Sequence, residues 1–211
     1  MTIIVHHLEN SRSQRILWML EELGLPYEIK RYERDKKTML APPELKRVHP
    51  LGKSPVMEDS DDGGRIVAET GAIVEYLVEK ADGRLGAPAH RDAALRYRFW
   101  LHYAEGSMMP PLLLKLVLAR VPIMGKAAQK RIQPMIDLHL DYVESELAQR
   151  PWFAGDALTA ADVMMSFPLE AARSRAGLGA SRPATNAWLD KIHARPAYQT
   201  ALSKGGAYAY A

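Results

Sequence analysis

Hydroxyl and amide side chains are gathered in one short turn near the start of the chain, at residues 10–13 with the sequence Asn-Ser-Arg-Ser. Residues 3–5 before it are β-branched, which favours a strand, and the residues after it have the apolar spacing of a helix. A strand that enters a helix through such a turn leaves unpaired backbone N–H groups pointing outward, beside the positive end of the helix dipole. The turn therefore predicts a site that holds an anion, such as a thiolate or a carboxylate.

The helix after this turn has one apolar side. Its apolar residues recur at helical spacing: Ile16, Met19, Leu20 and Leu23. Polar residues, among them Gln14 and Arg15, occupy the other faces, so the pattern predicts that one side of the helix packs on a sheet. Gly24 ends the helix.

The composition excludes several kinds of chemistry. The 211 residues include no cysteine, so disulfides, thiolate zinc sites and a protein thiol nucleophile are excluded, and any sulfur chemistry must come from a bound substrate. The 28 basic and 25 acidic residues are dispersed, and aromatic residues do not alternate with the basic ones as in a nucleic-acid groove. No apolar run reaches the roughly 20 residues of a membrane span, and no leader pattern is present. We expect a cytoplasmic protein with no nucleic-acid or membrane partner.

Strands and helices alternate in the first part of the chain. A second strand at residues 27–32 completes a βαβ unit with parallel strands. After a long irregular stretch, strands at 54–58 and 65–68 are joined by an Asp/Gly turn, which indicates a hairpin. Thr70 has a side chain suited to the N-cap of the helix that follows, up to Lys80.

A linker at residues 81–89, rich in glycine, separates this part from one with helical patterns only. The adjacent Pro110 and Pro111 are expected to break or kink a helix there. Thr159 and Asp162 have the spacing of a capping box, which gives that carboxylate a structural role. These patterns predict two domains, residues 1–81 and residues 90–211.

Several segments together resemble the glutathione transferase family. They are residues 10–25, the segment 41–55 that ends in Leu-Gly-Lys-Ser-Pro, residues 68–73 with Glu-Thr before a helix, and residues 153–162 and 195–198 of the helical part. The resemblance covers essentially the whole chain, and the proline-rich middle segment is most similar to a bacterial and fungal subgroup of serine-type transferases. It implies an α/β plus all-α fold: a thioredoxin-like, glutathione-binding N-terminal domain, then an all-helical C-terminal domain that lines the electrophile site.

The same resemblance implies which residues bind glutathione. Ser54 pairs through its backbone with the cysteinyl unit, ahead of a cis peptide bond to Pro55. Glu69 binds the γ-glutamyl amine, and Thr70, with helix amides, binds the carboxylate beside that amine. Lys53 matches a position that meets the glycyl carboxylate.

The resemblance gives the catalytic role to Ser11, whose hydroxyl hydrogen-bonds the glutathione sulfur and, with the helix dipole, lowers the thiol pKa from about 8.5. Two alternatives stay open, because some classes align the catalytic hydroxyl with Asn10 and others place a tyrosine near His7. The pair His6 and His7 at a strand end otherwise predicts one core and one surface residue, and without a third ligand nearby it predicts no metal site.

The candidate walls of the electrophile site lie near the predicted kink: Tyr103, Met108, Met109 and Leu113. Methionine side chains adapt to ligands of varied shape. Packing in a helical core explains these residue types equally well.

The activity implied is conjugation of the glutathione thiolate to hydrophobic electrophiles in detoxification, with reduction of organic hydroperoxides as a second activity. Glutathione is a co-substrate, and no metal or organic cofactor is expected. Family members usually form homodimers through helices that correspond to residues 70–80 and 92–103 here.

Two rival functions differ in what they require. A non-catalytic, transferase-like binding or interaction module would not need the ligand residues Lys53, Ser54, Glu69 and Thr70, which this chain keeps. A thiol-disulfide oxidoreductase of related fold needs a protein thiolate, which the absence of cysteine excludes.

Overall fold

The first part of the chain folds as a mixed sheet with helices in the computed structural model, which describes residues 2–210. In chain order the elements are β1 (Ile3–Leu8), α1 (Ser13–Leu23), β2 (Tyr27–Tyr32), α2 (Leu45–Val48), β3 (Val56–Asp59), β4 (Arg65–Ala68) and α3 (Thr70–Lys80). This order confirms the predicted thioredoxin-like arrangement.

The four strands form one sheet in the order β2-β1-β3-β4. β1 pairs parallel with β2, where Val5 lies opposite Ile29, and antiparallel with β3, where Val5 lies opposite Met57. The hairpin of β3 and β4 confirms the prediction from the Asp/Gly turn. Because β1 is an inner strand, His6 and His7 are both buried, at 2% and 4% exposure. The expectation of one core and one surface histidine is therefore wrong.

Burial of α1 extends well beyond its predicted apolar side. Gln14 and Arg15 are buried along with the apolar residues. The cause is α9 (Pro196–Gly205), which packs along α1, while α1 also contacts β1 and α3. Trp18 of α1 meets Tyr198 of α9 edge-on, with ring centroids 5.4 Å apart. Packing by α9 comes from the far end of the sequence, so the local pattern of α1 does not reveal it.

The remaining described elements are helical. They are α4 (Arg91–Tyr103), α5 (Met109–Leu118), α6 (Gly125–Leu147), α7 (Ala160–Arg175) and α8 (Pro183–His193). A π-helical turn, Ala104–Met108, separates α4 from α5, and Pro110 and Pro111 lie in the first turn of α5. The N–H groups that proline lacks have no partner within a helix start, so two prolines are tolerated there. The predicted interruption of the helix is confirmed as this π-helical turn.

An aromatic cluster and a helix cap stabilise the helical part. Trp100 packs against Tyr142 and Phe153 with centroid distances of 5.4 and 4.6 Å. At the start of α7 the N–H of Thr159 donates to Asp162 Oδ2 at 2.9 Å, which confirms the predicted capping box.

The described residues form two compact units by their contacts. One comprises the residues up to Gly86 together with His193–Ala209, and the other comprises Ala87–Ile192 with Tyr210. The predicted domains, 1–81 and 90–211, follow chain order instead, and their boundaries stay a prediction. Within residues 2–210, every helix is too short or too polar to cross a membrane.

Candidate active site

Ser11, the predicted sulfur-binding residue, lies in the turn between β1 and α1 and is 5% exposed. Its Oγ accepts a hydrogen bond from the N–H of Ser13 at 3.2 Å. The N–H of Gln14 donates to the carbonyl of Ser11 at 3.3 Å, and that of Arg15 to the carbonyl of Arg12 at 3.2 Å. The expectation that the first amides of α1 point outward unpaired is wrong for these three, because the turn itself caps them. These three amides are therefore committed within the turn, and the Ser11 hydroxyl lies beside them.

A buried polar chain runs inward from Ser11. Its Oγ lies 2.7 Å from Ser13 Oγ, and Ser13 Oγ lies 2.9 Å from His7 Nδ1. The N–H of Leu8 also donates to Ser13 Oγ, at 3.3 Å. Sequence reasoning missed Ser13, and the only signal for it was a second hydroxyl two residues after Ser11. These hydrogen bonds hold the Ser11 side chain from its inner side. The hydroxyl proton of Ser11 can turn toward Ser13 or toward a bound group.

His7 is the inner end of this chain. Burial and, to a smaller extent, the positive charge of Arg31 lower the pKa of His7 to about 4, although a hydrogen bond with the backbone of Gly205 acts in the opposite direction. The ring is therefore neutral at neutral pH, and its Nδ1 can accept the Ser13 proton. His7 lies behind Ser13, so it reaches the turn through the two serines.

The loop that carries Ser54 is fastened to the same end of β1. The Ser54–Pro55 peptide bond is cis, as the resemblance implies. The Ser54 hydroxyl donates to the carbonyl of His6 at 2.8 Å and accepts from the N–H of Leu8 at 3.2 Å. The N–H of Leu8 thus donates to the hydroxyls of both Ser54 and Ser13, which links Ser54 to the polar chain of Ser11.

The third predicted segment, Glu69 and Thr70, begins α3. Glu69 has a φ of 72°, in the left-handed region that costs a non-glycine residue about 1–3 kcal/mol, and such strain is often kept at binding sites. Glu69 is the N-cap residue, so the assignment of Thr70 to that position is wrong. The helical backbone begins at Thr70 itself, and the buried Thr70 hydroxyl accepts a hydrogen bond from Arg15 Nη2 of α1 at 3.4 Å.

The structure brings most of the predicted glutathione residues to one end of the sheet. Ser11 and Ser54 are linked through Leu8, and Thr70 is linked to α1 through Arg15. Lys53 is exposed on the loop before the cis bond. Sequence reasoning missed the contact of Arg15 with Thr70, because the helical position of Arg15 placed it away from the apolar side.

The four candidate electrophile residues differ in exposure. Tyr103, Met108 and Met109 are buried, whereas Leu113 on α5 is 47% exposed. The Tyr103 hydroxyl lies 2.5 Å from His139 Nδ1, and burial raises the pKa of Tyr103 to about 12. Tyr103 is thus a neutral phenol held by a histidine of α6.

Comparison with protein families gives two matches. The sequence model described as "Glutathione S-transferase, N-terminal domain" matches residues 11–80, and the one described as "Glutathione S-transferase, C-terminal domain" matches residues 108–196. The N-terminal match contains Ser11, the cis proline and the Glu69–Thr70 pair, and the C-terminal match lies in the helical part.

Individual proteins match over nearly the whole chain. Glutathione S-transferase 3 of Schizosaccharomyces pombe is 39% identical, covering 96% of this chain and 87% of its own. Glutathione S-transferase 1 of Saccharomyces cerevisiae is 36% identical, covering 97% and 96%. Among solved structures, a glutathione S-transferase from Actinobacillus pleuropneumoniae is 37% identical with a TM-score of 0.85, covering 96% of this chain and 92% of that one. The transferase URE2P6 of Phanerochaete chrysosporium, solved with oxidized glutathione, is 25% identical with a TM-score of 0.79, covering 97% and 95%.

Proposed function

The chain belongs to the glutathione transferase family and is a glutathione S-transferase, and from this premise we propose that it adds the glutathione thiolate to hydrophobic electrophiles. In the proposed reaction the sulfur attacks the electrophilic carbon and the leaving group departs with its electron pair. The chain itself contributes a thiolate at neutral pH and an aligned complex. Glutathione is the co-substrate, and the proposal requires no metal or organic cofactor.

The observation that carries the proposal is the Ser11 hydroxyl, held 2.7 Å from Ser13 Oγ at the start of α1. A hydroxyl that donates to a thiolate makes a charge-assisted hydrogen bond, of about 1.5–3 kcal/mol. Such a bond lowers the thiol pKa by roughly 1–2 from its usual value near 8.5. Ser11 is thus a donor to the sulfur in this proposal, and it forms no covalent bond.

The other glutathione contacts are proposed from the resemblance and supported by placement. The backbone of Ser54 faces the cysteinyl unit, and the exposed Glu69 carboxylate binds the γ-glutamyl amine. Thr70, with the first amides of α3, binds the carboxylate beside that amine, since α3 presents its positive dipole end there. Lys53, exposed before the cis bond, binds the glycyl carboxylate.

We propose Tyr103, Met108, Met109 and Leu113 as residues that shape the electrophile site. Leu113 offers apolar surface directly, because nearly half of it is exposed. The two methionines follow Tyr103 closely in sequence and are buried. Methionine side chains adapt to a ligand by changing rotamer.

A second reaction of the same thiolate is proposed, with organic hydroperoxides. The sulfur attacks the O–O bond, takes one oxygen as a sulfenic acid, and releases the alcohol after protonation. A second glutathione then displaces water to give the disulfide, so two glutathione molecules supply the electron pair.

We also propose a homodimer formed through α3 and α4. Leu95 and Phe99 on α4 are 50% and 45% exposed, which leaves apolar surface for a partner copy. Sedimentation at micromolar concentration is expected to give twice the mass of the chain, and a monomer there contradicts this proposal.

Steady-state kinetics test the conjugation with 1-chloro-2,4-dinitrobenzene and the peroxidase activity with cumene hydroperoxide. Ser11→Ala is expected to lower kcat/KM for glutathione about 10- to 100-fold, which corresponds to the loss of one charge-assisted bond. Ser145→Ala, at an exposed serine of α6, is the control and keeps the wild-type rate. Glutathione binding without turnover of either substrate would favour a non-catalytic binding module, which the transferase relatives do not favour.

A further inference from the structure

A residue near the C-terminus contacts the turn that carries Ser11. The backbone N–H of Ala209 donates to Asn10 Oδ1 at 2.7 Å, across a sequence separation of 199 residues. Asn10 directly precedes Ser11, so the C-terminal tail, defined as residues 206–209 after α9, binds the neighbour of the proposed sulfur ligand.

The start of this tail is fixed by contacts at the end of α9. The last carbonyls of a helix lack partners within the helix, and side chains commonly bind them. Here the carbonyl of Lys204 accepts from the guanidinium of Arg31, and the backbone of Gly205 hydrogen-bonds the ring of His7. Lys204 Nζ also lies 2.6 Å from Glu21 Oε1 of α1. The tail therefore leaves α9 from a defined point beside β1, β2 and α1.

Gly205 allows this close approach. A Cβ at this position would lie 2.8 Å from Gln14 Oε1 and 3.0 Å from Leu17 Cδ1. Both atoms are the ends of α1 side chains, so a larger residue at this position would require those side chains to shift.

The turn is held from its other side by Arg34, which follows β2. Its Nε donates to the carbonyl of Glu9 and its Nη2 to the carbonyl of Asn10, each at 3.3 Å. Asn10 itself has a φ of 48°, a left-handed conformation that asparagine tolerates better than most residues. Arg34 thus restrains the backbone of Asn10, and Ala209 restrains its side chain.

We propose that the backbone N–H of Ala209 is a positioning group for Ser11. By holding the Asn10 side chain it keeps the turn in the conformation that directs the Ser11 hydroxyl at the glutathione sulfur. This inference rests on the proposed function, because it requires Ser11 to be the donor to the thiolate. It also gives Asn10 a positioning role, since the amide oxygen of Asn10 is occupied by the tail.

The test is a substitution that removes the N–H donor. Ala209→Pro lacks the N–H, whereas Ala209→Gly keeps it and is the conservative control. The thiolate absorbance of bound glutathione is titrated against pH for the full-length protein, with Ser11→Ala in the same series. Ala209→Pro is expected to raise the thiol pKa by about 0.5 and to lower kcat/KM about three-fold at pH 6.5, as expected for one modest hydrogen bond. The wild-type value is expected for Ala209→Gly.

The pH profile separates positioning from general damage. Above the thiol pKa all bound glutathione is thiolate, so the loss in Ala209→Pro is expected to disappear as pH rises, with an unchanged thermal midpoint. Three results overturn the positioning role and leave the proposed function standing. They are a loss of the same size at every pH, an equal shift of the thiol pKa in both Ala209 variants, and no shift of the thiol pKa in Ala209→Pro while Ser11→Ala raises it. A lowered thiol pKa that survives in Ser11→Ala removes Ser11 as the donor and overturns this inference, whereas a bound thiol pKa equal to that of free glutathione in wild type overturns the proposed function itself.

Discussion

Two helices of this transferase begin in buried polar clusters, and the clusters differ in whether every hydrogen-bonding group is committed. At the start of α7 the carboxylate of Asp162 accepts from the N–H groups of Phe153 and Thr159 at 3.0 and 2.9 Å, and from the Thr159 hydroxyl at 3.0 Å. At the start of α1 the hydroxyls of Ser11 and Ser13 lie 2.7 Å apart, and either can be the donor.

Each cluster can do only what its free hydrogen-bonding groups allow. The α7 cluster is closed, since its acceptor is fully buried and surrounded by donors of its own chain, so it can only stabilise the fold. The α1 cluster keeps a hydroxyl proton that can turn outward, next to Asn10 in its left-handed conformation and near the loop with the cis Ser54–Pro55 bond. An open cluster of this kind can bind an anion through that proton.

The largest expected effect is on the closed cluster. Asp162→Ala leaves the buried N–H groups of Phe153 and Thr159 without an acceptor, and we expect it to lower the free energy of unfolding by roughly 2–4 kcal/mol. Denaturant titration measures this loss, with the exposed Asp156→Ala as the control. The folded fraction of Asp162→Ala is expected to bind glutathione with an unchanged thiol pKa. A changed thiol pKa would mean that the α7 cluster does more than stabilise the fold.

The open cluster has its own signature in the pH dependence of stability. His7 has a pKa of about 4 in the fold and a usual value of 6.5, so below pH 6.5 the unfolded chain binds a proton that the folded chain does not. The free energy of unfolding therefore falls as pH decreases from 6.5 to 4, by up to roughly 3 kcal/mol from this residue.

Comparison of wild type with His7→Gln isolates this contribution, because other groups titrate in the same range. The difference between their unfolding free energies is expected to shrink as pH falls through this window. The same substitution at the exposed His102 serves as the control for replacing an imidazole. A difference that does not change with pH would mean that His7 is not held neutral by burial.

A smaller effect separates the two helix-start hydroxyls directly. Ser13→Ala and Thr159→Ala each remove one such hydroxyl and are expected to cost about 1 kcal/mol of stability. Only Ser13→Ala is expected to lower kcat/KM for glutathione, by about three-fold, because Ser11 then loses the side chain that holds it. Equal kinetics in the two variants would remove Ser13 from the site.

Local sequence patterns predicted the parts of the fold that short-range contacts decide. The strand before Ser11, the hairpin of β3 and β4, and the Thr159–Asp162 cap each depend on residues close in sequence, and each is confirmed. The cis bond at Pro55 followed only from the family resemblance, since most X–Pro bonds are trans.

Features that depend on distant parts of the chain were missed. Gln14 and Arg15 are buried because α9 and α3 pack around α1, and no local pattern contains that information. His6 and His7 are both buried because β1 is an inner strand, which only the strand order reveals. The contact of Asn10 with Ala209 joins residues 199 positions apart, so the restraint on the Ser11 turn could not be predicted from the turn itself.

The most direct test of the central claim is the pKa of the glutathione thiol in the bound state, measured from thiolate absorbance in wild type, Ser11→Ala and Asn10→Ala. We predict a pKa well below about 8.5 in wild type, a value near that of the free thiol in Ser11→Ala, and a smaller rise in Asn10→Ala. A low pKa that survives in Ser11→Ala but is lost in Asn10→Ala would contradict the account and give the sulfur contact to Asn10.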